Sequence, residues 1–263
     1  LLSNNDDHII DIKAKDDILV HDIRAGFYST DNSSGEKYTS HGHITLKSTN
    51  GAIVEDFIDP GVDVVADVLV LEAKHGILGL ETALNVLKAE TESGDIHLSE
   101  QDGDGEKIEG LQVLKAIAGS ENQRGDVTIE AENSLQIGDG ESKAIKADTI
   151  YLSSTQGNIN VNEPAQQNLY ALDYHSGLSL NASGVLDVDH FYNTAPELLE
   201  YRAEHFDFEL AKDISADRVI LENGSSLYVS GTITAKEHLE LISGRNVYVY
   251  GHIQAADDAQ NNE

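Results

Sequence analysis

The sequence predicts an all-β protein, a parallel β-helix of roughly ten or eleven coils. Three observations lead to this prediction: a short phrase recurs along the 263-residue chain, apolar residues alternate inside each copy, and only three prolines occur. Self-similarity at about 20 to 30 residues is typical of a solenoid, whose units bury their apolar faces only by stacking on neighbours. Alternation with a period of two indicates strands, and scarce proline fits backbone ladders along most of the chain.

The repeated phrase is an apolar residue, any residue and alanine, followed by a short segment that reaches glycine and a second alternating stretch. Successive anchor alanines lie 19 to 31 residues apart, except for one gap of 45 residues that we interpret as two coils. The anchors are Ala66, Ala89, Ala116, Ala147, Ala171, Ala216, Ala235 and Ala255. The phrase is clearest in GTITA and GHIQA, which begin at Gly231 and Gly251. We expect alanine to allow a tight inner corner and these glycines to supply a permissive backbone where strands bend.

Other repeat architectures fit the sequence less well. Leucine-rich repeats need an Asn-bearing consensus in every unit, and ankyrin or tetratricopeptide repeats need a helical period of 3.6 residues. The remaining alternative is a glycine-rich antiparallel sandwich. With coils about 4.8 Å apart, the predicted solenoid is a single domain over residues 1–263 and roughly 50 Å long.

Three segments depart from the repeat. Residues 194–205 predict a short helical insertion, with Thr194 as N-cap, Pro196 in the first turn and Glu197 as capping-box partner. Residues 29–42 and 99–110 are rich in Gly, Ser and Asp, and we expect them to project as loops.

Charge and composition exclude several classes of partner. With 47 acidic against 17 basic side chains, the formal net charge is -30, which disfavours nucleic acid and anionic membrane surfaces. The absence of cysteine excludes a disulfide framework and thiolate metal sites. No apolar run approaches the length of a membrane span, so we expect no membrane insertion. The opening LLSNNDDHII is too acidic for a signal peptide, and we interpret the chain as a mature product or a segment of a longer or polymerised protein.

One stretch carries a family resemblance. Residues 65–100, VADVLVLEAKHGILGLETALNVLKAETESGDIHLSE, resemble the repeats of filamentous-haemagglutinin-like exoproteins, the large repetitive surface adhesins of bacteria. The shared order is an A-D-x-L-x-L-x-A strand, then G-I, L-E-T and L-x-A-x-x-x-G-x-I. The resemblance implies a right-handed β-helix, export, and a role in adhesion, surface layers or contact between cells. It brings no catalytic motif.

A calcium site is the first candidate site. Carboxylates alternate with glycines in QDGDGE, and Asp102, Asp104 and Glu106 could surround a hard cation such as Ca²⁺. The twelve-residue loop of an EF-hand is missing. A solvated acidic loop is the alternative interpretation.

The second candidate is an aromatic contact surface in the last coils. Tyr248 and Tyr250 share one strand phase, while Val247 and Val249 share the other. If the valines face the core, the tyrosines lie outside near Tyr228, and Phe206 and Phe208 could extend the surface. The alternative is that the tyrosines only stabilise the sheet as cross-strand neighbours.

The sequence therefore predicts an extracellular or cell-surface module without catalysis, whose partners are other copies of itself, end to end or laterally, or surface glycans. The alternative is a polysaccharide-binding or polysaccharide-cleaving β-helix. Such lyases and hydrolases use carboxylates on an outer face, for which Asp187 and Asp189 beside His190 are available. Tryptophan is absent and basic residues are few, which disfavours a groove for acidic sugars.

Overall fold

In a computed structural model of the chain, the described residues are 8–25, 28–30, 37–39, 42–56, 61–101, 110–162, 164, 170–188, 196–204 and 208–255. Their regular secondary structure consists of β-strands. The strands are β1 His8–Ala14, β2 Ile18–Val20, β3 Ile23–Arg24, β4 Tyr28–Thr30, β5 Lys37–Thr39, β6 Gly42–Ser48, β7 Ile53–Glu55, β8 Val64–Ala73, β9 Ile77–Thr91, β10 Ile96–Glu100, β11 Gly110–Ala118, β12 Val127–Ala131, β13 Ser134–Ile137, β14 Ile145–Lys146, β15 Thr149–Ser154, β16 Ile159–Val161, β17 Leu172–Asp173, β18 Gly177–Ala182, β19 Leu186–Val188, β20 Leu198–Ala203, β21 Phe208–Leu210, β22 Ile214–Asn223, β23 Leu227–Val229, β24 Thr232–Ser243, β25 Val247–Val249 and β26 His252–Ala255.

The strands form a parallel β-helix, as the sequence predicts. Strand pairing is parallel from β1–β6 at one end to β24–β26 at the other. Only the β4–β5 hairpin pairs antiparallel among the described strands. Parallel pairing of segments that lie one coil apart makes each coil the template for the next.

The core is a set of aliphatic columns that run along the molecule. The longest column takes one residue from each of ten coils, in direct register. Its members are Ile18, Ile53, Ile77, Ile96, Val127, Ile150, Leu178, Leu199, Val219 and Leu239. All are buried except Leu239, which is partly buried. Identical packing at each level lets one coil bury the apolar face of the next.

A second column lies two residues further along the same strands, or three in β9, where the register shifts by one residue. It consists of Leu80, Leu98, Ile129, Leu152, Leu180, Tyr201, Leu221 and Leu241. Alternate residues point to opposite faces of a strand, so both columns face inward. The predicted period of two is confirmed here.

The phrases GTITA and GHIQA lie in neighbouring coils. GTITA lies directly beneath GHIQA, so that Ile233 pairs with Ile253 and Ala235 with Ala255. Gly231 and Gly251 serve close approach rather than strand bending, because a β-carbon on Gly251 would stand 1.9 Å from the carbonyl oxygen of Gly231. The same register continues to Ala216, which pairs with Ala235.

The anchor alanines align only in part. Ala89 pairs with Ala116, but Ala116 then pairs with Ile145 rather than with Ala147. Ala66 pairs with Leu84, at a different corner of the coil. The repeat therefore slips in register between coils while the inward apolar positions are kept.

The predicted helical insertion at 194–205 is wrong. Leu198–Ala203 forms strand β20, which lies between β18 and β22 in parallel register. Leu199, Tyr201 and Ala203 are buried at alternate positions, and this burial outweighs the local capping pattern of Pro196 and Glu197. Thr194 lies outside the described residues. The 45-residue gap between anchors does contain an additional coil, which β20 supplies.

The projecting segments are described in part. The segment 29–42, predicted as a projecting loop, includes most of an antiparallel hairpin in which Tyr28–Thr30 pairs with Lys37–Thr39. Most of 99–110 lies outside the described residues. In the described part of the chain, we find no helix with the length and apolarity that a membrane crossing requires.

Acidic side chains in the turns connect neighbouring coils. The side-chain oxygen of Asp17 accepts a hydrogen bond from the backbone N–H of Ala52, and Asp213 accepts one from Thr232, at 2.8 and 2.6 Å. The hydrogen bond from the N–H of Thr232 lowers the pKa of Asp213. Asp95, Asp126 and Asn158 make the same kind of contact. Part of the acidity thus satisfies turn backbone groups that the strand ladders leave unpaired.

Candidate contact surface on the last coil

The last coil is built like the coil before it. Strand β25 pairs with β23 so that Val247, Tyr248 and Val249 lie against Leu227, Tyr228 and Val229. The valines and Ile253 occupy the inward phase, which in every earlier coil forms the core.

The inward side chains of this coil are nevertheless exposed. Val247, Val249 and Ile253 are 41%, 45% and 44% exposed. The equivalent residues one coil earlier, Leu227, Val229 and Ile233, are 0% exposed. The difference arises because each earlier coil is covered by its successor. We call Val247, Tyr248, Val249, Tyr250 and Ile253 the terminal face.

The three predicted tyrosines come together at this place. The ring centroids of Tyr228 and Tyr248 are 4.9 Å apart with an interplanar angle of 14°. The ring of Tyr250 is nearly parallel to that of Tyr248, at 6.2 Å and 4°. Since 4.9 Å is about the spacing of neighbouring strands, Tyr248 stacks on Tyr228 along the solenoid. Tyr248 and Tyr250 thus lie on the outer face of the same coil whose inward valines are exposed.

The terminal face has an unusual charge environment. Residues 224–235 and 244–255 contain no Asp or Glu, although the chain has 47 acidic residues. Within residues 244–255, Arg245 and the exposed His252 are the basic groups. An apolar surface without carboxylates, on a molecule of charge -30, offers a region of low like-charge repulsion.

The other sequence candidates fall elsewhere. Asp102, Asp104 and Glu106 lie outside the described residues, so the calcium site stays a prediction. Phe208 is buried in β21 and belongs to the core, which makes its predicted surface role wrong; Phe206 lies outside the described residues. Asp187 is exposed on β19, whereas Asp189 and His190 are outside the described range. The described residues contain no group of three or more His, Asp or Glu placed to hold a metal ion.

One charged cluster was not foreseen from the sequence. Asp173 accepts hydrogen bonds from Arg124 at 2.9 Å and from Lys143 at 2.5 Å, and its side chain is 10% exposed. Burial alone would raise the pKa of Asp173, but the hydrogen bonds and positive charges of Lys143 and Arg124 outweigh burial and lower it. Arg124 also donates to the carbonyl of Ala147, in the intervening coil. The cluster fastens three coils, and its members are too far apart in sequence to form a motif.

No protein-family model, curated protein or solved structure matches the chain.

Proposed function

We propose that the chain is a non-catalytic β-solenoid module of a bacterial surface or secreted protein. It serves as a spacer, which holds whatever is attached to its two ends at a fixed distance, and it presents adhesive segments on its side. The observation that carries the proposal is the unbroken column from Ile18 to Leu239. Ten levels at about 4.8 Å place the ends of this column roughly 43 Å apart. Regular stacking of the coils therefore gives an elongated molecule.

The polar surface supports the same role. Ion pairs join charges one coil apart, as in Lys115 with Glu90 and Arg202 with Glu222. Lys47 and Glu72 make a further pair of this kind. Single exposed ion pairs contribute little, but repeated ones favour the stacked register over slipped ones. The resemblance of residues 65–100 to bacterial exoproteins supports export and adhesion.

The adhesive element has a candidate in the β4–β5 hairpin. The hairpin lies between β3 and β6 in sequence, and it pairs only within itself among the described strands. Since β4 and β5 take no part in the parallel ladders of the described strands, this segment can vary in sequence at little cost to the core.

The test separates shape from adhesion. Beads coated with the chain should be retained on bacterial or host-cell surfaces, and replacing residues 28–39 by a Gly-Ser loop should abolish retention. Small-angle scattering should report the same elongated particle for both proteins. Release of reducing ends or unsaturated products from acidic or neutral polysaccharides would contradict the proposal, as would equal retention of both proteins.

A saccharide-binding role is the second candidate, and the exposed tyrosine faces favour it. Tyr250 is 72% exposed, and a flat aromatic ring packs well against the C–H face of a sugar. If this role is right, Tyr250→Ala removes binding to a glycan array, whereas Ile9→Ala, at a residue 71% exposed on the first coil, leaves binding unchanged. An array without signal for the unaltered chain would exclude this role.

A further inference from the structure

Among the described residues, no coil covers the terminal face. No described strand pairs with the outer edges of β25 and β26, because the ladders β21–β23–β25 and β24–β26 stop there. At the other end, β1 pairs only with β6 among the described strands. Open parallel edges with aliphatic side chains in register are templates for one more coil.

The first coil has the geometry that such a covering coil needs. Ile18 and Leu239 are the first and last members of the longest column. β1 comes just before Ile18 in the chain, and residues 232–235 of β24 come just before Leu239 in the same way. β26 pairs with those residues of β24, so β1 and β26 lie on the same side of the solenoid and run in the same direction. The outer edge of β1 in one copy can therefore join the outer edge of β26 in another as a parallel strand.

The register of this contact follows from the alanines. Ala14 lies four residues before Ile18, and Ala235 lies four residues before Leu239. Ala235 pairs with Ala255, so Ala14 of a second copy falls over Ala255. Ile12 then covers the exposed Ile253, and Lys13 lies beside Gln254. Ile10 and Ile12 are only partly buried, so they have side-chain surface to contribute.

Charge favours head-to-tail contact. The first coil carries Asp11, Asp16, Asp17 and Asp22 against three basic side chains. The last coil, residues 236–255, carries Glu237 and Glu240 against Lys236 and Arg245, so its formal charge is zero. In this register Asp11 falls beside His252. The uncharged last coil of one copy thus meets the weakly acidic first coil of the next.

We infer that the terminal face binds the first coil of a second copy of this chain, head to tail, so that the aliphatic columns continue from one molecule into the next. Such a heterologous contact does not close on itself and leads to filaments rather than discrete dimers. The inference rests on the proposed spacer role and names the partner at one end of the rod.

Sedimentation velocity of the full chain tests the contact. Oligomers should grow with protein concentration and with added NaCl, because salt screens repulsion between molecules of charge -30. The double variant Val249→Asp, Ile253→Asp would place carboxylates in the interface and should weaken association more than about 100-fold. The matched control carries Leu78→Asp and Val185→Asp, since both residues are exposed on coils away from the two ends. A chain that stays monomeric under all conditions, or a control as defective as the double variant, would overturn the inference.

Cross-linking tests the register, because the chain has no cysteine of its own. Lys13→Cys and Gln254→Cys are made separately. A mixture of the two should form disulfide-linked heterodimers on mild oxidation, and neither variant alone should dimerise efficiently. Efficient dimers of Gln254→Cys alone would show a tail-to-tail contact, and this too would overturn the inference.

The shape measurement keeps this inference separate from the proposed function. Scattering from the double variant should still report an elongated monomer. An elongated particle that never associates would leave the spacer role intact and overturn only the head-to-tail contact. A compact particle would contradict the spacer role itself.

Discussion

Close backbone contacts between coils make single glycines critical. A β-carbon on Gly231 would stand 2.0 Å from the carbonyl oxygen of Lys212, a backbone atom that cannot move without disturbing its own coil. We expect Gly231→Ala to lower the free energy of unfolding by about 1–3 kcal/mol, the usual range for overpacking. Thr234→Ala, on the same strand and facing outward, is the control. Urea titrations that place both variants at one midpoint would contradict this explanation of the glycine.

The Asp173 cluster gives a pH dependence with a definite sign. Because the folded-state pKa of Asp173 is lowered, its contribution to stability is present above the ordinary carboxyl value of about 3.9. The contribution is lost as the pH falls through the lower, folded-state value. Near pH 7 we expect Asp173→Asn to cost about 1.5–3 kcal/mol, as for hydrogen bonds to charged groups. The measurement is the difference in unfolding free energy between this variant and the unaltered chain from pH 7 down to pH 2.

The control for this prediction is Asp187→Asn, at an exposed carboxylate of β19. This variant should differ little from the unaltered chain at any pH. A deficit of Asp173→Asn that stays constant down to pH 2 would show that the carboxylate charge is not what stabilises the three coils.

At the scale of the strand, the cost of a lost side chain depends on whether another coil covers it. Leu221 and Leu241 pair in the same column, but Leu221 is fully buried and Leu241 only partly. We expect Leu221→Ala to cost about 2–5 kcal/mol, because it leaves a closed cavity. In dilute solution, where the chain is monomeric, Leu241→Ala should cost about 1–2 kcal/mol, because solvent reaches that site. Equal losses in denaturant titrations would mean that the last coil is covered in solution.

Strands were predictable where the alternation was strong, and a helix was predicted wrongly where a capping pattern overlaid it. The apolar alternation of Ile150 with Leu152, and of Leu178 with Leu180, is enough by itself to predict that these side chains point inward. In β20 the same alternation of Leu199, Tyr201 and Ala203 was present, but Pro196 and Glu197 imitated a helix start. Pairing with β18 and β22 satisfies the backbone hydrogen-bonding groups on both edges of β20. The local sequence does not indicate this stabilisation.

The candidate contact surface was half predictable for a related reason. The phase of Tyr248 and Tyr250 followed from the alternation, and their stacking on Tyr228 followed from the repeat. The exposure of Val247 and Val249 did not, because strand phase says which face a residue occupies and not whether another coil covers it. The partners of Asp173 lie 49 and 30 residues away, so only the coil geometry brings them together.

At the scale of the molecule, the account depends on coils that stack in one direction at constant spacing. Distance between two outward positions should therefore depend on the number of coils between them and not on sequence separation. His97, Thr128 and Tyr151 follow one another in a single outward ladder, which continues through three further coils to Glu240. The native absence of cysteine makes introduced cysteines unique sites for spin labels.

Pulsed electron–electron double resonance between spin labels at these positions is the most direct test. With one label at Glu240→Cys and the other at Tyr151→Cys, Thr128→Cys or His97→Cys, the distances should be about 19, 24 and 29 Å, a rise of about 4.8 Å per coil. Label linkers broaden each distribution but do not change this increment. Distances that fail to increase with each added coil, as in a sandwich of antiparallel sheets, would contradict the solenoid and the spacer role with it.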